Sequence, residues 1–238
     1  IGGDTISDAT TTFARLGELP WMNTKIGLDS IVIEPFKPLT VDGQTVSLWN
    51  RRYVWKDSLF PVEIYSNGKQ LLSGPLEIFT GEAPTGRPNK AVVTIKSASE
   101  AVVELEAKSA IGGVPVTART TIEYDGMILI NLVFEPESAA SLPRCAMTMP
   151  MKTGCAWLYN YARGGGAVAE TENRIGAMNG DKSFEWLTDF WLGTPDEGLM
   201  WFSVDPENWK LKGNPTPLNV KLEGDVTRLT ATLTKSQY

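Results

Sequence analysis

Histidine is absent from this chain of 238 residues. That excludes Ser-His-Asp and Cys-His nucleophile systems, imidazole-based zinc sites and every mechanism that uses imidazole as proton carrier. Carboxylates, lysines, tyrosines and two cysteines are the proton carriers that remain. Those two cysteines, Cys145 and Cys155, form no CxxC motif, so zinc and redox roles are not expected. A hairpin through residues 149–154 would bring them into disulfide range, where closing the loop contributes about 2–3 kcal/mol. The alternative is two buried thiols that act as small apolar side chains. Long apolar runs are also missing. None approaches the ~20 residues of a membrane helix, so no membrane insertion is expected. A basic stripe is missing as well: net charge is -6, and the longest basic cluster, Arg51-Arg52, is too short for a phosphate track. Gly164-Gly165-Gly166 lacks the Lys-Ser/Thr of a phosphate loop, and no EF-hand spacing occurs. The reading is no nucleic acid, no cofactor and no metal. The start, Ile1-Gly2-Gly3-Asp4, has neither the charge nor the apolar stretch of a signal peptide. It reads as a mature form or an excised fragment.

The composition, 42% hydrophobic and 21% charged, is that of an ordinary globular protein. Strand signals dominate. Asp42-Gly43, Asn67-Gly68, Asp125-Gly126 and Gly224-Asp225 each separate two apolar-rich runs, as tight hairpins require. Period-2 alternation is clear in three places. Val103, Leu105 and Ala107 oppose Glu104, Glu106 and Lys108; Val116, Ala118, Thr120 and Ile122 oppose Thr117, Arg119, Thr121 and Glu123; Leu229, Ala231 and Leu233 oppose Arg228, Thr230 and Thr232. Strands of this kind keep one face in a core and one in water. Residues 127–134, almost continuously apolar, read as a central strand covered on both sides. Residues 183–191 fit helix and strand equally. Residues 81–89 and 164–181 read as loops, the second a long excursion. The expected fold is all-β, a large antiparallel two-layer β-sandwich of supersandwich type. Residues 1–12 would be a linker or first edge strand, and 13–238 a single domain.

The aromatic residues are the main candidates for contact. Eight tryptophans is a high count, and indoles serve either as core or as stacking surfaces. Trp191, Trp201, Phe202 and Trp209 crowd one segment. Trp201 and Phe202 are neighbours on an expected strand, so they point to opposite faces and one of them should be exposed. Contact with a neighbouring domain is favoured over a sugar site. Trp21, after Leu19-Pro20, raises the same question, with a plug for one end of the core as the plainer role. Asp196-Glu197 lies in the same aromatic block. Glycosidic cleavage needs two carboxyls roughly 5–9 Å apart, but Pro195-Asp196-Glu197-Gly198 also reads as a turn with solvated acids. The turn is the favoured reading. Glu185 and Asp189, four apart, would share a helix face only if a helix forms there. No catalytic residue is assigned.

Two stretches carry a resemblance. Residues 15–55 read RLGELPWMNTKIGLDSIVIEPFKPLTVDGQTVSLWNRRYVW and are followed by SLFPVEIYSNGKQLLSGPLEIF over 58–79; residues 190–209 read FWLGTPDEGLMWFSVDPENW. Both resemble the sandwich region of bacterial proteins related to glycoside hydrolase family 123. The resemblance implies a catalytic (β/α)8 barrel C-terminal to the sandwich, with an adjacent Asp-Glu pair and substrate-assisted cleavage. No strand-helix alternation of the barrel kind occurs here, so no residue of this chain inherits those roles. The implied function is a non-catalytic accessory domain of a secreted glycoside hydrolase-like protein that packs on and shapes its barrel. An autonomous carbohydrate-binding module is the alternative, and a carboxylate glycosidase on the sandwich itself is the third reading. The expected partners are the catalytic domain of the same polypeptide and, in the alternative, glycan. The implied location is extracytoplasmic.

Overall fold

The computed structural model describes residues 12, 13, 17, 19, 31–136, 144–163, 172–203 and 215–234. The chain divides into two units, Ile1–Ile31 and Val32–Tyr238, and every element named below belongs to the second. Trp21, Trp209 and residues 1–11 of the stretch 1–12 expected as linker or first edge strand lie outside the described residues.

Turn chemistry sets the first sheet. It runs in chain order through β1 (Thr40–Asp42), β2 (Thr45–Leu48), β3 (Arg51–Val54), β4 (Glu63–Ser66) and β5 (Lys69–Gln70). Gly43 turns β1 into β2 at φ 56°, and Asn67 and Gly68 turn β4 into β5 at φ 49° and 78°. These left-handed conformations are the ones Asn and Gly adopt most readily. Strand β6 (Glu77–Thr80) leaves for the third sheet. The second sheet is a meander of β7 (Val92–Ala98), β8 (Val102–Ile111), β9 (Val114–Glu123) and β10 (Ile128–Phe134). The rest of the chain supplies β11 (Cys145–Lys152), a short 3-10 turn (Thr153–Cys155), β12 (Leu158–Arg163), β13 (Glu172–Ala177), β14 (Lys182–Phe184), β15 (Asp189–Gly193), β16 (Gly198–Phe202), β17 (Leu218–Glu223) and β18 (Val226–Thr234). The third sheet has the order β14-β17-β18-β11-β6 and the fourth β13-β12-β15-β16. Every strand pair is antiparallel. Among the described residues there is no α-helix.

The all-β antiparallel reading holds, but the two-layer sandwich does not. The strands form four separate sheets in a four-blade, propeller-like arrangement. Alternation shows which face of a strand is buried; it is silent on which strand pairs with it, because pairing is a contact between distant segments. The third sheet makes the point, gathering strands from residue 77 to residue 234. The apolar run at 127–134 is corrected for a related reason. As β10 it is an edge strand of the second sheet, half-buried along most of its length rather than covered on both sides. The expected excursion at 164–181 contains β13, and residues 164–171 lie outside the described residues. Glu185 and Asp189 share no helix, since Asp189 opens a strand.

One connected core joins the sheets. Trp55, Leu59 and Phe60 are almost wholly buried, as are Val103, Leu105 and Ile122 from the second sheet, Leu218 and Leu229 from the third, and Phe190 and Leu192 from the fourth. Each large side chain of this kind contributes about 1.5–3 kcal/mol by leaving water. Specific polar links tie the sheets together. Arg51 donates to the Asp125 carbonyl at 2.7 Å and the Tyr53 hydroxyl to the Gly126 carbonyl at 2.9 Å, so β3 grips the β9–β10 turn. Burial pushes the Tyr53 phenol up to about 12, against a smaller opposing effect of the Arg51 cation. Glu77 is buried yet fully engaged. Its carboxylate accepts from the Thr85 amide and hydroxyl and from the Gly86 amide at 2.7–2.9 Å, closing the loop at 81–89 over β6.

Cys145 and Cys155 are both buried reduced thiols, which corrects the possible disulfide. The segment between them is no hairpin. Cys145 opens β11 and Cys155 follows its far end; a strand rises about 3.3 Å per residue, so β11 alone carries the backbone roughly 23 Å away from Cys145 before the turn that holds Cys155. Burial raises the Cys145 thiol to about 11.

Candidate functional site

The aromatic block flagged in the sequence folds into the β15–β16 hairpin of the fourth sheet. Strand alternation divides its residues. Phe190 and Leu192 turn inward and are fully buried, with Leu199 and Trp201 beside them on the core. Trp191, Met200 and Phe202 turn outward. Of the pair Trp201 and Phe202, the first packs on the core and the second is exposed, as opposite faces of one strand require.

The outward face continues across the sheet. Asn160 of β12 pairs with Trp191 on one side and with Ile175 of β13 on the other, and Trp191 pairs with Met200. Ile175, Asn160, Trp191 and Met200 therefore form one cross-strand row. Phe202 stands in the next row, opposite Asp189. Ile175 is 71% exposed, Met200 59% and Phe202 39%. A cluster of Ile, Met, Phe and Trp on a solvent-facing sheet is unusual, because exposed apolar side chains normally occur singly.

Two glycines shape this face. Gly193 and Gly198 oppose each other across the hairpin, and the Trp191 indole lies against both. A methyl group on Gly193 would stand 2.2 Å from indole Cζ2, and one on Gly198 2.5 Å from indole Nε1. No larger residue leaves room for the ring, so the glycines hold it down along the strands. Gly176 does the same for Tyr159 on the inner face, where an added methyl would stand 2.4 Å from the ring. Tyr159 stacks there at 6.3 Å from Phe190, which secures the sheet from below.

At the hairpin tip Thr194 organises the turn. Its amide donates to the Glu197 carbonyl at 2.7 Å, and its hydroxyl accepts from the amides of Asp196 and Glu197 at 3.2 Å each. Asp196 is solvated, in keeping with the turn reading. Glu197 is not: its side chain is only 5% exposed and is ion-paired with the ammonium of Lys69 on β5. The pair raises the Lys69 pKa, chiefly through the hydrogen bond to Glu197. Cys155 lies beside the pair; burial pushes its thiol up, and the Glu197 charge adds to that rise. Asp196 and Glu197 therefore have different surroundings and do not face one another across a cleft. Sequence reasoning missed Lys69, which lies 128 positions from Glu197, a separation no local pattern reveals. Ile175 was missed too, since the glycine-rich stretch before it masked a strand. Among the described residues, no group of three carboxylate or cysteine side chains is placed to hold a metal ion.

No curated protein matches the chain. A family model described as glycoside hydrolase 123, third domain, matches residues 39–215, which include the hairpin, its outward face and Lys69.

Proposed function

Because the chain belongs to the glycoside hydrolase 123 third-domain family, we propose that it is a non-catalytic accessory domain that packs on and shapes a catalytic barrel of the same polypeptide. The outward face of the fourth sheet is the docking surface. The observation that carries this reading is the row of Ile175, Trp191 and Met200, with Phe202 beside it, on a face that a domain working alone would keep polar. A third domain presupposes others in the same chain, which supplies the partner. Methionine and aromatic residues are enriched where proteins meet, and charged residues are depleted. The carboxylates support the non-catalytic half of the reading. Glu77 and Glu197 are both held by structural partners, and Asp196 stands in water at a turn. An extracytoplasmic location belongs to the same proposal, by family likeness.

The test uses the whole glycoside hydrolase 123 protein. Met200→Glu places a charge in the contact and should loosen it, raising amide exchange across the fourth sheet. The pair Asp196→Asn with Glu197→Gln should leave kcat for a nitrophenyl glycoside within about twofold, since the chemistry lies elsewhere. Loss of kcat in that pair with the fold intact would overturn the non-catalytic reading. Glycan protection of Trp191 in place of domain protection would favour a carbohydrate-binding module.

A further inference from the structure

The edges of the four sheets differ in how they are closed to a further strand. Proteins blunt an open edge by shortness, charge, proline, a bulge or a covering group. Strands β1, β5 and β14 have only two or three residues. Strand β6 is capped by Asn89, whose side chain accepts from the Ile78 amide at 2.8 Å and donates to the Ile78 carbonyl at 2.9 Å. Strand β7 carries Lys96 at a register break between Ile95 and Ser97. Strand β13 contains Glu172 and Arg174, and β16 borders the docking face. Strand β10 has none of these devices. Its sequence, ILINLVF, holds no charge and no proline, and it pairs with β9 in unbroken register from Ile128 to Phe134. Among the described residues no strand lies on its other side.

The bonds to β9 show which backbone groups face that open side. The Met127 carbonyl accepts from the Glu123 amide, and the Glu135 amide donates to the Pro115 carbonyl, each at 3.0 Å. Bonding residues alternate along an antiparallel pair, so Leu129, Asn131 and Val133 bond to β9. Ile128, Ile130, Leu132 and Phe134 turn their N–H and C=O groups outward. Their side chains pack on the core but stay only partly buried, because the sheet ends there.

We propose that β10 pairs antiparallel with β10 of a second copy of this chain, about a two-fold axis through Asn131. The strand reads nearly alike from either end. About Asn131, Ile130 falls opposite Leu132 of the other copy, Leu129 opposite Val133 and Ile128 opposite Phe134. Every apolar side chain meets an apolar one on its own face. The strand's one polar residue, Asn131, is also its one exposed residue, and it meets itself. A primary amide both donates and accepts, so it is a group suited to face its own copy. Just beyond the strand, Glu135 falls opposite Met127 rather than another carboxylate. The outward residues form four pairs with two bonds each, about eight hydrogen bonds, where a typical interface carries about ten. The pairing joins two four-stranded sheets into one and uses up both open edges, so association stops at the dimer. Docking of the fourth sheet plays no part in it, and either reading stands without the other.

Sedimentation of the full chain at about 100 μM tests the pairing. The chain should run at twice its 26.0 kDa mass. Asn131→Lys sets two ammonium groups face to face at an exposed position and should weaken the dimer at least about tenfold. Asn131→Cys should form a covalent dimer on air oxidation, because the facing Cα atoms of a non-hydrogen-bonded pair stand about 4.5 Å apart, within disulfide range. Lys96→Cys on β7 should not. Amide exchange at Ile130 and Leu132 should be slow in the dimer and fast after Asn131→Lys, while Leu129 and Val133 keep their protection. A chain that runs at 26.0 kDa overturns the proposal. So does a dimer that Asn131→Lys leaves intact or that Asn131→Cys does not link. Slow exchange of the Ile130 amide in a monomer would overturn it too, by assigning the edge to a segment of the same chain.

Discussion

Gly198→Ala places one methyl group where the structure has no room for it. The new Cβ would stand 2.5 Å from Trp191 Nε1, 2.7 Å from Cε2 and 2.6 Å from the Leu192 carbonyl oxygen. Two of these contacts are with an indole that can swing outward, but the third is with backbone and cannot be relieved by a rotamer change. Gly198 is not in the left-handed region, so conformational strain plays no part and the cost is overlap alone. Overpacking of this kind costs about 1–3 kcal/mol. For about 2 kcal/mol and an m-value near 3 kcal/mol/M, the urea midpoint should fall by roughly 0.7 M. Trp191→Ala in the same background should restore part of the loss, because the indole clash goes while the Leu192 clash stays. Gly224→Ala is the control: it has φ +62° with nothing within 4 Å, so it costs backbone strain and leaves Trp191 in place. A midpoint shift below roughly 0.2 M for Gly198→Ala would refute the glycine-backed indole.

Three further outcomes follow from the described geometry. Glu77→Ala should destabilise by about 2–3 kcal/mol, since it strips partners from Thr85 and Gly86, and Glu77→Gln by less; urea unfolding measures both. Stability should fall as pH rises from 10 to about 12, because the buried Tyr53 phenol stays protonated in the fold while the unfolded chain ionises from 10. Tyr53→Phe should remove that slope at the expense of the Gly126 bond. Iodoacetamide should label neither cysteine in the native chain and both after denaturation, with no mass change on reduction; native thiols that label readily would contradict their burial.

Much of this was legible in the sequence at the level of single strands. Asp42-Gly43, Asn67-Gly68, Asp125-Gly126 and Gly224-Asp225 all turn hairpins, because positive φ is a local demand met by local residues. Val103, Leu105 and Ala107 are buried as their alternation required. The resemblance to glycoside hydrolase family 123 holds over residues 39–215. Partnership was not legible. Which strands share a sheet, that 127–134 forms an edge, and that Glu197 meets Lys69 all depend on contacts between distant segments. The cysteines show the same limit: ten residues apart is close along a chain, and far when a strand spans the gap. At the candidate site, the opposite orientations of Trp201 and Phe202 could be read in advance. The role of Gly193 and Gly198 could not, since a glycine beside a tryptophan has meaning only once both lie on one face.

The central claim is that the outward face of the fourth sheet is covered by another domain of the same polypeptide. Peroxide oxidation of methionines in the whole glycoside hydrolase 123 protein, read by peptide mass, tests it with an internal scale. Met151 is fully buried and Met200 is 59% exposed within this domain. The account predicts that Met200 is oxidised nearly as slowly as Met151. Oxidation of Met200 at the rate of a solvent-exposed methionine would contradict it.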